Sequence, residues 1–183
     1  MSRIAALDPA AAEPKAKSLL DGVEKSLGVT PNLFRVAAQS PAALEGLLSL
    51  SGALGHGALR PRVREAIALA VAEANACDYC LSVHTVLGRG AGLSDAEITA
   101  AREARAEDAQ SNAILRFARL LVVNRGHATD SDLDVLRQAG LSEGEIVEVV
   151  ANVVVNLFTN YLNHVAGTEI DFPVVHAGLS KAA

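Results

Sequence analysis

Apolar residues recur at intervals of three and four along most of this chain, the spacing that gathers them on one side of a helix. From Pro9 to Leu27 the apolar side carries Ala16, Leu19, Leu20 and Val23, which predicts one amphipathic helix stopped by Gly28. Thr30-Pro31-Asn32 and Ser40-Pro41 each set a capping residue before a proline at the first helical position, predicting a short helix through Ala38 and a longer one to about Leu54. Pro61 opens a helix with Val63, Ile67, Ala70, Val71 and Ala74 as its stripe. Ser94 with Glu97 is a capping box that starts a helix through about Ala104. A helix over Ala109 to Asn124 buries Ile114, Leu115, Ala118, Leu121 and Val122, and a short one capped by Asp130 or Ser131 runs to Gln138.

The Gly140-Leu-Ser142 stretch, with Glu145, repeats the Ser94 device and introduces the longest apolar element, from Glu145 to about Gly167. Its valines suggest a strand, but polar residues at 148, 152, 156, 160 and 164 recur every four positions, and the run is too long for an ordinary strand. A helix so apolar elsewhere is expected at the centre of the monomer or against another subunit. Its polar stripe either lines a cleft or serves helix packing. Asp171-Phe-Pro173 is expected to end the ordered core, with the Ala-rich C-terminus frayed. Placing Glu145 on Glu65 also puts His164 on His84, an echo suggesting an internal helical repeat.

Composition agrees with the periodicity. Aromatic residues make up 3% of the chain, Trp is absent and Ala occurs 34 times, so the predicted class is all-α. The 183 residues suit a single domain: N-terminal helices over 1–60, a central unit over 61–104 and a C-terminal unit over 109–172. A net charge of −5 without a basic stripe argues against nucleic acid as a partner. The N-terminus lacks the apolar run of a signal peptide, and no run of about 18 uncharged apolar residues is available to span a membrane, so a cytoplasmic location is expected.

Both cysteines lie three residues apart in this setting, Cys77 and Cys80, with His84 four beyond and Glu65 twelve before. In a reducing compartment such a pair serves catalysis or metal binding rather than structure. On a continuous helix Cys77, Cys80 and His84 would fall within roughly 60° of one another, giving a dithiol with a base beside it. Glu65 would then lie roughly 18 Å from Cys77 and take no part. Asn75 followed by Asp78 marks a place where one helix can stop and another begin, and a chain folded back there brings the carboxylate to the imidazole. Cys80, one turn from His84, is assigned as the attacking thiolate, Cys77 as the resolving thiol, His84 as the general base and Glu65 as its orienting carboxylate. With a peroxide, Cys80 would become a sulfenic acid that Cys77 condenses to a disulfide. Helical i, i+3 geometry would close that disulfide only with local adjustment.

The pattern of Glu65, Cys77-Asp-Tyr-Cys80 and His84 resembles the motif of the AhpD alkylhydroperoxidase and carboxymuconolactone decarboxylase superfamily, especially its peroxidase-related branch. The likeness extends through Pro31-Asn-Leu-Phe34 and Asn160-Tyr-Leu-Asn-His164. It implies an AhpD-like helical fold, symmetric homo-oligomers, and reduction of hydroperoxides with no haem, flavin or metal. It also implies a dithiol reductant such as a lipoylated protein. Where the best-known members carry a second histidine between the cysteines, this chain has Tyr79. Decarboxylases of the superfamily generally lack the cysteine pair, so lactone decarboxylation is the weaker expectation. The rivals are a zinc site built from Cys77, Cys80, His84 and a carboxylate, and a helical oligomer whose thiols sense redox state without turnover. A thioredoxin-like setting would need a preceding strand, and none is predicted. Glu73, one turn before Cys77, competes with Glu65 on spacing alone. His56 is expected on the surface, as are His127, His164 and His176, with His164 the first exception to test.

Overall fold

In the computed structural model, which describes residues 2–178, the fold is all-α, and no strand occurs among the described residues. The helices are α1 (Pro14–Leu27), α2 (Asn32–Ala37), α3 (Pro41–Gly55), α4 (Pro61–Ala74), α5 (Asp78–Gly90), α6 (Asp95–Arg102), α7 (Ala109–Val123), α8 (Asp130–Gln138) and α9 (Glu143–Ala166). Most ends follow the predicted signals. Ser40 Oγ accepts from the Ala43 N–H, and Ser94 with Glu97 and Ser142 with Glu145 form complete capping boxes.

Three ends away from the cysteines differ, each for a local reason. The predicted Pro9–Leu27 helix is split, because Pro14 has no N–H to continue a ladder; Pro9–Ala11 is a lone 3₁₀ turn capped by Asp8. Pro31 is itself the N-cap of α2. Thr129 rather than Asp130 or Ser131 caps α8, in a reciprocal box with Asp132.

Helix α4 is the axis. Every residue from Ala66 to Ala72 is buried, so it has no solvent face over two turns, and α5, α6, α7 and α9 all pack around it. Small alanines at 66, 68, 70 and 72 let these neighbours approach closely, with Ile67, Leu69 and Val71 filling the gaps between them. A smaller apolar cluster of Ala16, Leu20, Ala37, Ala38 and Leu44 joins α1, α2 and α3. The loop into α4 is tied to α9 by Glu148, whose carboxylate accepts from the Ala58 N–H at 2.9 Å and the Leu59 N–H at 3.2 Å. A Cβ at Gly57 would collide with that carboxylate, so glycine is what permits the approach.

The segment after α9 does not end at Pro173. It runs back over the start of α5: the Val175 N–H donates to Ser82 Oγ at 2.9 Å, the Ala177 N–H to Asp78 Oδ1 at 2.9 Å and the Gly178 N–H to Glu73 Oε1 at 2.7 Å. Carboxylates and a hydroxyl on α4 and α5 thus hold a stretch that has no helical period of its own. The residues beyond Gly178, expected to fray, lie outside the described residues.

Helix α9 spans 24 residues and, by length and composition, is the one described helix able to cross a bilayer; its asparagines at 152, 156, 160 and 163 keep it from reading as a wholly apolar run. Its asparagines face inward. Asn152, Asn156, Asn160 and Asn163 are buried, while Val147, Val154, Tyr161 and Val165 are more than half exposed, at 66%, 51%, 57% and 62%.

Candidate active site

The turn between α4 and α5 brings the thiols and their neighbours together. Helix α4 ends at Ala74, and Ala76 takes a left-handed conformation with φ of 53°. The Cys77 N–H then reaches back to the Ala72 carbonyl at 2.9 Å, the long bond of a Schellman closure, with alanine where glycine is usual. That substitution costs about 1–2 kcal/mol of backbone strain. Cys77 follows immediately as the N-cap of α5, and Cys80 falls in the first turn of that helix. Asn75 therefore closes α4 instead of capping α5, and its Nδ2 bonds the Val71 carbonyl and Asn160 Oδ1 at 3.1 and 3.0 Å.

The reversal lays α5 back along α4. His84 Nδ1 lies 2.8 Å from Glu65 Oε2, with both side chains about four-fifths buried. A carboxylate only accepts, so we assign the proton to Nδ1, which leaves the Nε2 lone pair open as a base. Glu73 is committed elsewhere, to a buried ion pair with Arg102 at 2.8 Å and to the C-terminal segment. Geometry thus separates two acids that spacing alone could not.

Both thiols are buried, at 1% and 2% exposure, and unbonded to each other covalently. Cys80 lines a cavity of about 520 Å³ with His84 and Glu65, whereas Cys77 is not part of its wall. Interaction with the neighbouring Cys80 thiol, together with burial, pushes the Cys77 thiol far above the ordinary range. Interaction with Cys77 draws Cys80 below it; burial opposes, and the side chains of Asn163, Thr159 and Asn160 assist. Asn163 Nδ2 stands 3.3 Å from Cys80 Sγ. Cys80 also gains from its place at a helix N-terminus.

Asn163 was outside the four-residue stripe read from the sequence, and His164 was inside it. A step of four overshoots the 3.6-residue turn, so between 148 and 164 the stripe drifts by about 160°. His164 accordingly lies exposed on α9, and Asn163, within about 20° of Asn156, turns inward. A helical wheel would have found it. We predict that Asn163→Ala, in a Cys77→Ser background, raises the apparent pKa of Cys80 through loss of a donor to the thiolate. The check is the pH dependence of iodoacetamide alkylation; a profile that does not move would show that the amide has no hold on the sulfur.

Tyr79 occupies the place of the second histidine and is structural. Its hydroxyl donates to Asp171 Oδ1 at 2.8 Å and accepts from the Leu33 N–H at 3.0 Å, while Asp171 Oδ2 accepts from the Asn32 N–H at 2.8 Å. Burial keeps the phenol protonated far above its usual range. The residue joins α2, α5 and the C-terminal segment. His176 also serves that segment, its Nδ1 lying 2.7 Å from Asp78 Oδ2, and His56 and His127 are exposed. The Glu145 echo places no second site: Glu145 caps α9, and an unbroken helix sets His164 about 28 Å away. Among the described residues no three His, Cys, Asp or Glu side chains converge as metal ligands would.

Residues 41–123 match the model of the Carboxymuconolactone decarboxylase family. No curated protein sequence matches the chain. Among solved structures, the chain is similar to the AhpD-core, uncharacterized peroxidase-related protein from Ralstonia eutropha JMP134. The identity is 22% over 93% of this chain and 92% of that one, with a TM-score of 0.84. A variant of the debrominase Bmp8 in complex with 2,3,4-tribromopyrrole matches at 22% identity over 92% and 91% of the two chains, with a TM-score of 0.78. The Agrobacterium tumefaciens protein ATU0492, a putative antioxidant defence protein AhpD, matches at 23% identity over 76% and 96%, with a TM-score of 0.64.

Proposed function

We propose that the chain, whose residues 41–123 match the Carboxymuconolactone decarboxylase family and whose fold is that of AhpD-like structures, is a cofactor-free peroxidase of the alkylhydroperoxidase type. The observation that supports this best is the company of Cys80: a hydrogen-bonded dithiol at a helix start, opening on a cavity whose wall also holds a carboxylate-oriented imidazole. In the reaction His84 Nε2 takes the Cys80 proton, and the thiolate attacks the terminal peroxide oxygen. The O–O bond breaks, the alkoxide leaves as an alcohol with the proton from His84, and Cys80 becomes a sulfenic acid. Cys77 then displaces water to form a disulfide. Two thiols and one hydroperoxide yield one disulfide, one alcohol and one water. An external dithiol, such as a lipoylated protein in a reducing compartment, restores the pair. Because Cys77 is an N-cap with extended dihedrals (φ −96°, ψ 92°) and not a helical residue, the closure does not meet the i, i+3 separation expected from a continuous helix.

Steady consumption of cumene hydroperoxide with dihydrolipoamide tests the proposal. A single stoichiometric oxidation would favour a redox sensor, and no oxidation at all would remove the peroxide chemistry. A second reading follows from the fold shared with Bmp8: the same thiolate could take bromine from an electron-rich ring, the ring taking a proton and Cys77 expelling bromide as the disulfide forms. Bromide release from tribromopyrrole under the same dithiol separates the two.

The exposed apolar side of α9 supports assembly into a homo-oligomer. Val154→Glu is expected to lower the mass measured by light scattering to that of a monomer; a monomeric parent protein would refute this.

A further inference from the structure

We infer that the cavity beside Cys80 receives an amphipathic hydroperoxide bearing an anionic head group, and that Arg64 holds the head group; this rests on the peroxidase reading above. The cavity is far larger than hydrogen peroxide requires. At about 520 Å³ it exceeds many times the roughly 30 Å³ share of one water, and Leu33, Phe34, Leu54, Val83, Val155 and Phe172 give it apolar walls. Such a space suits a hydrocarbon tail.

Its charged residues are two, Arg64 and Glu65, with the His84 imidazole beside them. Glu65 and His84 satisfy each other at 2.8 Å. Arg64 is left. It is half-buried, donates from one nitrogen to the Leu59 carbonyl at 2.8 Å, and forms no ion pair among the described residues. Arg102, a largely buried arginine of α6 at the far end of α4, contrasts with it in having the Glu73 carboxylate at 2.8 Å. A partly desolvated guanidinium with no counter-ion is unfavourable, and its remaining N–H groups form the planar fork that fits a carboxylate. Arg64, Glu65 and Ala68 all line the cavity along one stretch of α4, and Ala68 stands one turn beyond Arg64 on the same helix face. A head group at Arg64 therefore shares a wall with the carboxylate that orients the base, and the apolar walls take the tail.

The test compares a hydroperoxide of a medium-chain fatty acid with its methyl ester, using dihydrolipoamide as reductant. The protein is expected to favour the acid in kcat/KM by about tenfold or more, as one charge-assisted pair provides. Arg64→Met should bring the ratio toward one, and Arg64→Lys should keep most of it. Because any harm to the neighbouring Glu65 affects both substrates, the ratio isolates the head group. A ratio near one in the parent protein, or the same preference in Arg64→Met, overturns the inference. If neither compound is turned over, the peroxidase reading fails, and calorimetry with the peroxide-free acid and ester decides the anchor separately. Binding of the acid that Arg64→Met abolishes supports it, whereas equal binding of the two, or none of the acid, overturns it.

Discussion

Cys80→Ser is expected to abolish dithiol-dependent hydroperoxide consumption, a loss of about three orders of magnitude or more, because no other group at the site can accept the peroxide oxygen. Cys77→Ser should fail differently. It keeps the attacking sulfur, its Asn163 contact and the cavity, so one equivalent of peroxide is reduced and a sulfenic acid accumulates with no partner to resolve it. Intact mass spectrometry after a single peroxide addition reads the difference as one added oxygen on Cys77→Ser and none on Cys80→Ser. The asymmetry follows from geometry: of the two thiols only Cys80 meets the cavity, and Asn163 Nδ2 stands 3.3 Å from its sulfur. Equal single-round oxidation of the two variants would sink the assignment.

His84→Gln is expected to lower kcat/KM by about 10²- to 10⁴-fold near neutral pH, the usual contribution of a positioned general base. Glu65→Gln should show a smaller loss, since it leaves the imidazole in place but removes the acceptor that fixes its tautomer. The pH profile tells a chemical role from a packing role. Without an internal base the thiol must lose its proton to solvent, so the rate of His84→Gln should climb with pH up to the thiol's own titration. Folding of the variants is checked by circular dichroism, because the Glu65–His84 bond also joins α4 to α5. Full activity of His84→Gln at neutral pH would remove the imidazole from the mechanism.

The comparison of pattern with structure is informative residue by residue. The α3, α4, α6 and α9 helices were legible because their entry signals, the Ser40, Ser94 and Ser142 caps and Pro61 at a first helical position, act on backbone groups within a few residues, and α7 was legible from its apolar stripe. The turn at Asn75 was legible as a possibility only. Its helix stop uses Ala76 in a conformation that normally calls for glycine, so the usual sign was missing. Asn163 escaped through a period taken as four where the helix turns in 3.6. The return of residues 174–178 across α5 had no pattern to announce it, since its bonds go to Ser82, Asp78 and Glu73, about a hundred positions away.

The sequence by itself determined the all-helical class, most helix ends and the grouping of two thiols with a histidine one turn on, because each depends on interactions within a turn or two. Only the tertiary structure decided which acid bonds that histidine, which thiol opens to the cavity, that Tyr79 is a tie, and that Arg64 has no ion pair among the described residues. Those outcomes depend on which side chains meet after the chain reverses, and on how burial and hydrogen bonding then redistribute charge.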